Sequence, residues 1–228
     1  MLLHLIFDLL AYVVGTLLLL KVFKSRTQPI ADENLRYIYY TVIIVGAFFG
    51  AFIIGSLNTY ISIDSSDKII IGKSILGAII GATIAVEGFK KIMKIKGSTG
   101  AYFVPSLAIG IAIGRIGCFL SGLDDYTYGI ETDFILGYDF GDGILRHPVQ
   151  LYESAVMLLF FIYLLWIYFR DRAYFEKNIF HQFILLYATQ RFVWEFLKPY
   201  ETIALGLNVF QFFCLGLVGY ALWYLRKA

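Results

Sequence analysis

Charged and titratable side chains concentrate between residues 114 and 153 of an otherwise apolar chain. Arg115 lies inside an apolar run that extends over residues 107–120. A charge in hydrocarbon is costly unless it faces a protein interior or a watery cavity, so an arginine in such a run indicates a binding or catalytic site. A polar loop follows the run and ends at Arg146 and His147, immediately before the next apolar run.

These residue types support two kinds of chemistry. The planar guanidinium of Arg115 matches a phosphate bidentately, which predicts contact with a phosphate or a lipid headgroup. The alternative for Arg115 is a structural ion pair with an intramembrane acid such as Glu195. His147 is a candidate acid or base because histidine titrates near neutral pH, although a lone histidine also serves structure. Arg191 and Glu195 are four residues apart and predict an ion pair along one helix face.

Acidic residues crowd the polar loop. Taken alone, they are more typical of a solvated surface than of a catalytic set. The loop contains Asp124, Asp125, Glu131, Asp133, Asp139 and Asp142. Farther along, Pro148 favours the first turn of a helix, so the sequence Arg146-His147-Pro148 is predicted to open the helix that contains Gln150 and Glu153.

The segments that must position these residues are apolar and long. The chain has 228 residues, of which 59% are hydrophobic and 16% charged, with a mean hydropathy of +0.73, so it is not an ordinary soluble domain. A membrane-spanning helix needs about 20 apolar residues. Seven such segments occur: Leu2 to Phe23, Tyr37 to Leu57, Ile69 to Met93, Tyr102 to Leu120, Val149 to Phe169, Ile179 to Leu197, and Ile203 to Leu225.

The fold class predicted is an all-α integral membrane protein, a single polytopic domain over residues 1–228 with seven transmembrane helices. Lysine and arginine are in excess in cytoplasmic loops. Here they concentrate in the first, third and fifth loops and at the C-terminus, whereas the long fourth loop is acidic. The N-terminus is therefore predicted outside and the C-terminus in the cytoplasm. The basic residues form no single patch, so nucleic acid is not an expected partner.

Three smaller patterns complete the reading. Glu87 is predicted to pair with Lys90 or Lys91 one turn away. The first helix carries a polar stripe of residues four apart, read as a headgroup-region cap: His4, Asp8 and Tyr12. The two cysteines lie in apolar segments far apart and are read as small buried hydrophobes: Cys118 and Cys214.

Two motifs carry a family resemblance. GRIGCFLSG followed by Tyr128 and Gly129, and then RHPVQLYE, resembles the prolipoprotein diacylglyceryl transferase family, which comprises integral membrane enzymes of bacteria. The resemblance implies a phosphatidylglycerol donor, the thiol of a prolipoprotein lipobox cysteine as acceptor, a departing phosphorylated headgroup, and a place in the bacterial cytoplasmic (inner) membrane. The chain departs from the family at two positions: Leu76 replaces a histidine, and Cys118 replaces an asparagine.

The residues and the resemblance together predict a catalytic site, but they do not determine the acceptor substrate. The predicted catalytic residues are Arg115, His147, Arg191 and Glu195. The predicted substrate-binding residues are Arg146, Cys118, Gly129, Asp124 and Glu153. No metal or cofactor is expected. Two alternatives remain: a family paralogue with another acceptor such as an alcohol or water, and a non-catalytic membrane protein that binds or moves phospholipid.

Overall fold

The computed structural model describes residues 2–23, 30–62 and 72–227, and α-helices account for most of them. A π turn (Leu18–Val22) continues the first helix, and 3-10 turns precede the fourth (Ala101–Phe103), follow the fourth (Gly122–Asp125) and follow the sixth (Glu195–Leu197). The helices are α1 (Leu2–Leu17), α2 (Glu33–Ser62), α3 (Ile75–Met93), α4 (Val104–Leu120), α5 (Val149–Arg170), α6 (Arg172–Trp194) and α7 (Val209–Lys227).

Five helical stretches of the described chain are long and apolar enough to cross a membrane. They are Leu3–Val22, Glu33–Ile61, Ala101–Leu120, Val149–Arg170 and Val209–Lys227. The prediction of a helical membrane protein is confirmed at this level. The remaining two helices, α3 and α6, carry more charged residues, and the count of seven spans stays a prediction.

Hydrogen-bonding caps, which hydropathy does not register, set the ends of several helices. The helix α6 begins at Arg172 rather than near Ile179, because the Asp171 side chain accepts a hydrogen bond from the Tyr174 backbone N–H at 2.9 Å. The last helix begins at Val209 rather than at Ile203. There the Asn208 side chain accepts from the Gln211 N–H at 3.0 Å, and the Gln211 side chain accepts from the Asn208 N–H at 2.8 Å.

The described helices form two compact units. One contains α2, α3 and the first part of α7, and the other contains α1, α4, α5, α6 and the end of α7. In the first unit, α2 and α3 cross where glycines face one another. A Cβ built on Gly46 would lie 2.7 Å from the Gly81 carbonyl oxygen, and Gly50 and Gly77 are similarly close. Small residues at this spacing let helix backbones approach, as in many membrane helix pairs.

In the second unit, the polar loop between α4 and α5 folds into a small antiparallel hairpin. Strand β1 (Tyr138–Asp139) pairs with strand β2 (Leu145–Arg146), with Tyr138 opposite Arg146. The loop is also tied to the end of the α6 segment, because the Ile130 N–H donates to the Leu197 carbonyl at 2.7 Å. Most acidic residues of this loop are exposed, consistent with a solvated surface.

Candidate active site

Five charged side chains meet in the interior of the second unit. All five are ionisable side chains, and each is at most 8% exposed. Three cations face two carboxylates, so the cluster has one net positive charge among the described residues. Its members are Arg115 from α4, Glu153 from α5, Arg191 from α6, and Glu195 and Lys198 from the turn that follows α6.

Glu153 is the centre of this charge cluster. Its carboxylate forms an ion pair with the Nε of Arg115, and it accepts hydrogen bonds from the Nη1 of Arg191 at 3.1 Å and from the Nζ of Lys198 at 2.7 Å. Buried charges are tolerated when they are paired, and this carboxylate pairs with all three cations and hydrogen-bonds to two of them. Glu153 therefore fixes cations from α4, α6 and the following turn in one place.

Glu195 completes the cluster on the α6 side. Its Oε1 lies 2.7 Å from the Nε of Arg191 and 3.3 Å from the Nζ of Lys198. The predicted pairing of Arg191 with Glu195 is confirmed. Arg115 takes an ion pair as well, but its carboxylate is Glu153 and not the Glu195 that the sequence suggested.

Lys198 was missed by sequence reasoning. It follows an apolar segment directly, so it reads as a boundary charge, yet its side chain is fully buried. The available signal was its spacing of three residues from Glu195, which permits a contact on a helical turn. Nothing local indicates its 2.7 Å contact with Glu153, which is 45 residues away.

A buried amide side chain, that of Gln150, lies on α5 near Glu153. Gln150 lies one turn before Glu153 and is 1% exposed, and neither its Oε1 nor its Nε2 has a hydrogen-bond partner among the described residues. Buried amides are normally hydrogen-bonded, so this one has unused capacity for a ligand. The Ser154 hydroxyl donates to the Ala112 carbonyl at 2.8 Å and ties α5 to α4 at this level.

Arg146 and His147 lie in extended backbone before α5, a correction to the prediction that they open the helix. Pro148 is the N-cap, and the residue before a proline is disfavoured in helical conformation. Arg146 pairs instead with Asp142 at 2.8 Å on the hairpin. The Arg146 hydrogen bond lowers the pKa of Asp142, and that bond raises the pKa of Arg146 in turn.

His147 is half-buried beside aromatic rings. Its Nδ1 lies 3.3 Å from the Tyr152 hydroxyl, and its ring centroid is 6.0 Å from that of Phe134. Gly129 packs directly on it, since a Cβ at that position would lie 2.5 Å from the His147 carbonyl oxygen. The Gly129 N–H donates to the same oxygen at 3.0 Å. Gly129 therefore fixes the position of the His147 backbone. Asp124, from the same loop, is exposed.

Cys118 lies one turn after Arg115 and is half-buried. Its Sγ is 4.0 Å from the Nη1 of Arg115 and 3.7 Å from the Nε2 of His4. Cys214 is fully buried, and neither cysteine forms a disulfide. Leu76 is buried in the other unit at 1% exposure.

Taken together, the structure gathers Arg115, Glu153, Arg191 and Glu195 into one cluster with Cys118 beside it. It places Arg146, His147, Gly129 and Asp124 in the polar loop between α4 and α5. A buried cluster with surplus positive charge and an unused amide can bind a phosphate, whose oxygens accept several charge-assisted hydrogen bonds.

Comparison with known proteins agrees with this chemistry. The family model described as "Prolipoprotein diacylglyceryl transferase" matches residues 5–226. No solved structure matches the chain.

Three relatives, each named "Phosphatidylglycerol--prolipoprotein diacylglyceryl transferase", show the range of similarity. The Clostridium tetani protein is 33% identical over 56% of this chain and 52% of its own length. The Ehrlichia ruminantium protein is 29% identical over 91% and 83%. The Nitratidesulfovibrio vulgaris protein is 34% identical over 55% and 49%. The chain thus spans about half the length of two of these three relatives. Because the family model covers nearly all of it, the chain belongs to the prolipoprotein diacylglyceryl transferase family.

Proposed function

We propose that this protein transfers the diacylglyceryl group of phosphatidylglycerol to the thiol of a prolipoprotein lipobox cysteine. The names of the relatives supply the substrate classes. The observation that carries the proposal is the buried charge cluster, in which three cations exceed two carboxylates inside a helical membrane protein. A single anionic phospholipid headgroup would neutralise that surplus.

The cluster suits the chemical step because the leaving group gains charge. The acceptor sulfur attacks the glycerol carbon bonded to the phosphate oxygen, that carbon–oxygen bond breaks, and glycerol phosphate departs with the electron pair. Cations already fixed in a water-poor site stabilise the developing charge without reorganising. Arg115, Arg191 and Lys198 would supply this stabilisation, and Glu153 would hold them in place.

The arginines differ from Lys198 in what they offer a phosphate. Each guanidinium presents several N–H donors in a plane, so it can contact Glu153 and a phosphate oxygen simultaneously. Lys198 is a point charge, already in contact with both carboxylates. We therefore assign direct phosphate contact to Arg115 and Arg191, and long-range charge stabilisation to Lys198.

The remaining assignments are made on the same basis. Gln150, with Cys118 near Arg115, would line the headgroup site. The polar loop between α4 and α5, with Asp124, Gly129 and Arg146, would lie at its outer edge and contact the donor or the acceptor peptide. His147 stays the sequence-based candidate for a group that moves a proton.

Membrane placement is part of the proposal. All seven helices would span the bacterial inner membrane, with the N-terminus outside and the C-terminus in the cytoplasm, as the distribution of basic loops favours. A cysteine introduced at Thr132 should react with an impermeant reagent added to intact cells, whereas one at Ser98 should not. The reverse pattern would contradict this orientation.

Expression in bacteria depleted of their own transferase tests the function. We expect a reporter prolipoprotein to gain a diacylglyceryl group, and purified protein to release glycerol phosphate from phosphatidylglycerol only when a lipobox peptide is present. Release without the peptide would favour water or another acceptor. Binding of phosphatidylglycerol without any release would favour the non-catalytic alternative.

A further inference from the structure

The proposed reaction requires that the acceptor thiol lose its proton, and the chain contains three histidines that could receive it. His181 is 1% exposed, and its ring stacks on that of Tyr224 at 3.5 Å, so it is enclosed by α7. His147 lies beside Tyr152 and Phe134 on the hairpin side. His4 differs from both because its two ring nitrogens lie near a carboxylate and a thiol.

His4 is held between a carboxylate and a thiol. Its Nδ1 lies 3.0 Å from the Oδ2 of Asp8, one turn later on α1, and its Nε2 lies 3.7 Å from the Sγ of Cys118. A carboxylate on Nδ1 fixes that nitrogen as the proton donor and leaves the Nε2 lone pair for a substrate proton. The Cys118 sulfur already lies 3.7 Å from that nitrogen.

The same thiol lies next to the charge cluster. Cys118 Sγ is 4.0 Å from the Nη1 of Arg115, so a single sulfur atom separates the His4 imidazole from the guanidinium assigned to the phosphate. The side chains of His4 and Asp8 are 35% and 44% exposed, so an acceptor can reach them.

Close packing of α1 on α4 fixes this juxtaposition. A Cβ on Gly117 would lie 2.5 Å from the Cβ of Phe7, so the two helices are in contact immediately beside His4 and Cys118. About three turns earlier on α4, the Ser106 hydroxyl donates to the Gly15 carbonyl at 2.8 Å. The imidazole is thereby positioned by helices and not by a loop, which favours a fixed reacting geometry.

We propose that His4 is the general base that deprotonates the acceptor thiol and that Asp8 is its positioning residue, an inference that rests on the proposed transferase function. The S–H proton moves to Nε2 of His4 while the sulfur forms its bond to the glycerol carbon and the carbon–oxygen bond to phosphate breaks. The imidazolium then returns the proton to water or to the departing glycerol phosphate. The acceptor thiol reaches Nε2 of His4 from the exposed side of the imidazole, next to Cys118.

The test uses full-length protein in detergent, phosphatidylglycerol as donor and a lipobox peptide as acceptor. His4→Ala should lower kcat by about a hundredfold or more, the scale of general base catalysis, while the Kd for phosphatidylglycerol stays unchanged. Added imidazole should restore activity to His4→Ala by about tenfold, because a free base can occupy the vacated space. Asp8→Asn should lower kcat by a smaller factor, and imidazole should not restore it.

Tyr12→Phe is the matched control, since Tyr12 lies one turn beyond Asp8 on α1 and is 74% exposed. It should leave kcat unchanged. Wild-type turnover by His4→Ala would overturn the inference but leave the transferase proposal standing. Loss of activity in His4→Ala that imidazole does not restore, with donor binding retained, would assign His4 a structural role. Absence of transfer by the wild-type protein would overturn both proposals.

Discussion

Two buried lysines of this protein, Lys90 and Lys198, each form an ion pair with a glutamate three residues earlier. The two pairs differ in how buried the glutamate is and in the other charges nearby. Lys90 on α3 contacts Glu87 at 2.8 Å, and Lys198 contacts Glu195 at 3.3 Å, each pair three residues apart. The Glu87 side chain is 38% exposed and that of Glu195 is 0% exposed. Lys198 also contacts Glu153, which two arginines share, so the Lys198 pair belongs to a buried charged network.

One lysine is neutralised by its partner glutamate, whereas the other belongs to a cluster with surplus positive charge. Lys90 and Glu87 cancel one another at a half-exposed site, which is the ordinary way to end a helix in a membrane protein. Around Lys198, the cations outnumber the carboxylates among side chains that are at most 8% exposed. Electrostatic interactions are stronger there, so the surplus charge is costly without an anion and effective with one.

The largest expected effect concerns Arg115. Arg115→Ala should lower lipid turnover by at least about a hundredfold, the scale seen when one stabilising donor is removed from a transition state. Arg115→Lys should recover little, because a point charge lacks the planar fork. Steady-state release of glycerol phosphate measures both. Near-normal turnover in a well-folded Arg115→Ala protein would remove the phosphate role.

The next largest effect is on stability, and it should differ between substitutions at the buried charge cluster and at the Lys90–Glu87 pair. Glu153→Gln leaves three buried cations with one carboxylate, so we expect the free energy of unfolding to fall by about 3–5 kcal/mol. Glu87→Gln, at a half-exposed pair, should cost about 0–1 kcal/mol. Denaturant titration in detergent micelles compares the two. Equal losses would mean that the cluster is an ordinary set of ion pairs.

The smallest effect belongs to the exposed pair on the hairpin. Arg146 lowers the pKa of Asp142, so Asp142 stays ionised to lower pH than a free aspartate, and the pair is lost only as pH falls through that lowered pKa. In Arg146→Gln, the Asp142 pKa should rise toward about 3.9. Carboxyl-carbon NMR of labelled aspartate measures it, and an unchanged pKa would show that the pair does not persist in solution.

Sequence reasoning succeeded where a contact is local. The pairs Arg191 with Glu195 and Lys90 with Glu87 follow from helical spacing, and apolar length predicts helices that can span a membrane. It failed where contacts join distant elements, since residues 116–152, which separate Arg115 from Glu153, contain a loop whose path no local pattern fixes. Helix ends at Asn208 and Asp171 were missed because caps depend on hydrogen bonds that hydropathy ignores.

Burial was equally hard to predict for single side chains. Lys198 looked like a boundary charge, and His4 and Asp8 looked like a polar cap, because a sequence gives their positions along one helix but not the neighbour that packs there. The contact of Cys118 with His4 spans 114 residues and exists because α1 lies on α4.

Direct binding of phosphatidylglycerol to the Lys198 and Lys90 variants tests the central claim, that surplus positive charge in the buried cluster binds an anionic headgroup. The affinity of purified protein for phosphatidylglycerol and for zwitterionic phosphatidylcholine would be measured in wild type, Lys198→Met and Lys90→Met. We predict that Lys198→Met weakens phosphatidylglycerol binding by about tenfold, the cost of one charge interaction of about 1.4 kcal/mol, and erases the preference over phosphatidylcholine. Lys90→Met should leave both affinities unchanged. Equal effects of the two substitutions, or a Lys198→Met protein that still prefers phosphatidylglycerol, would contradict the account.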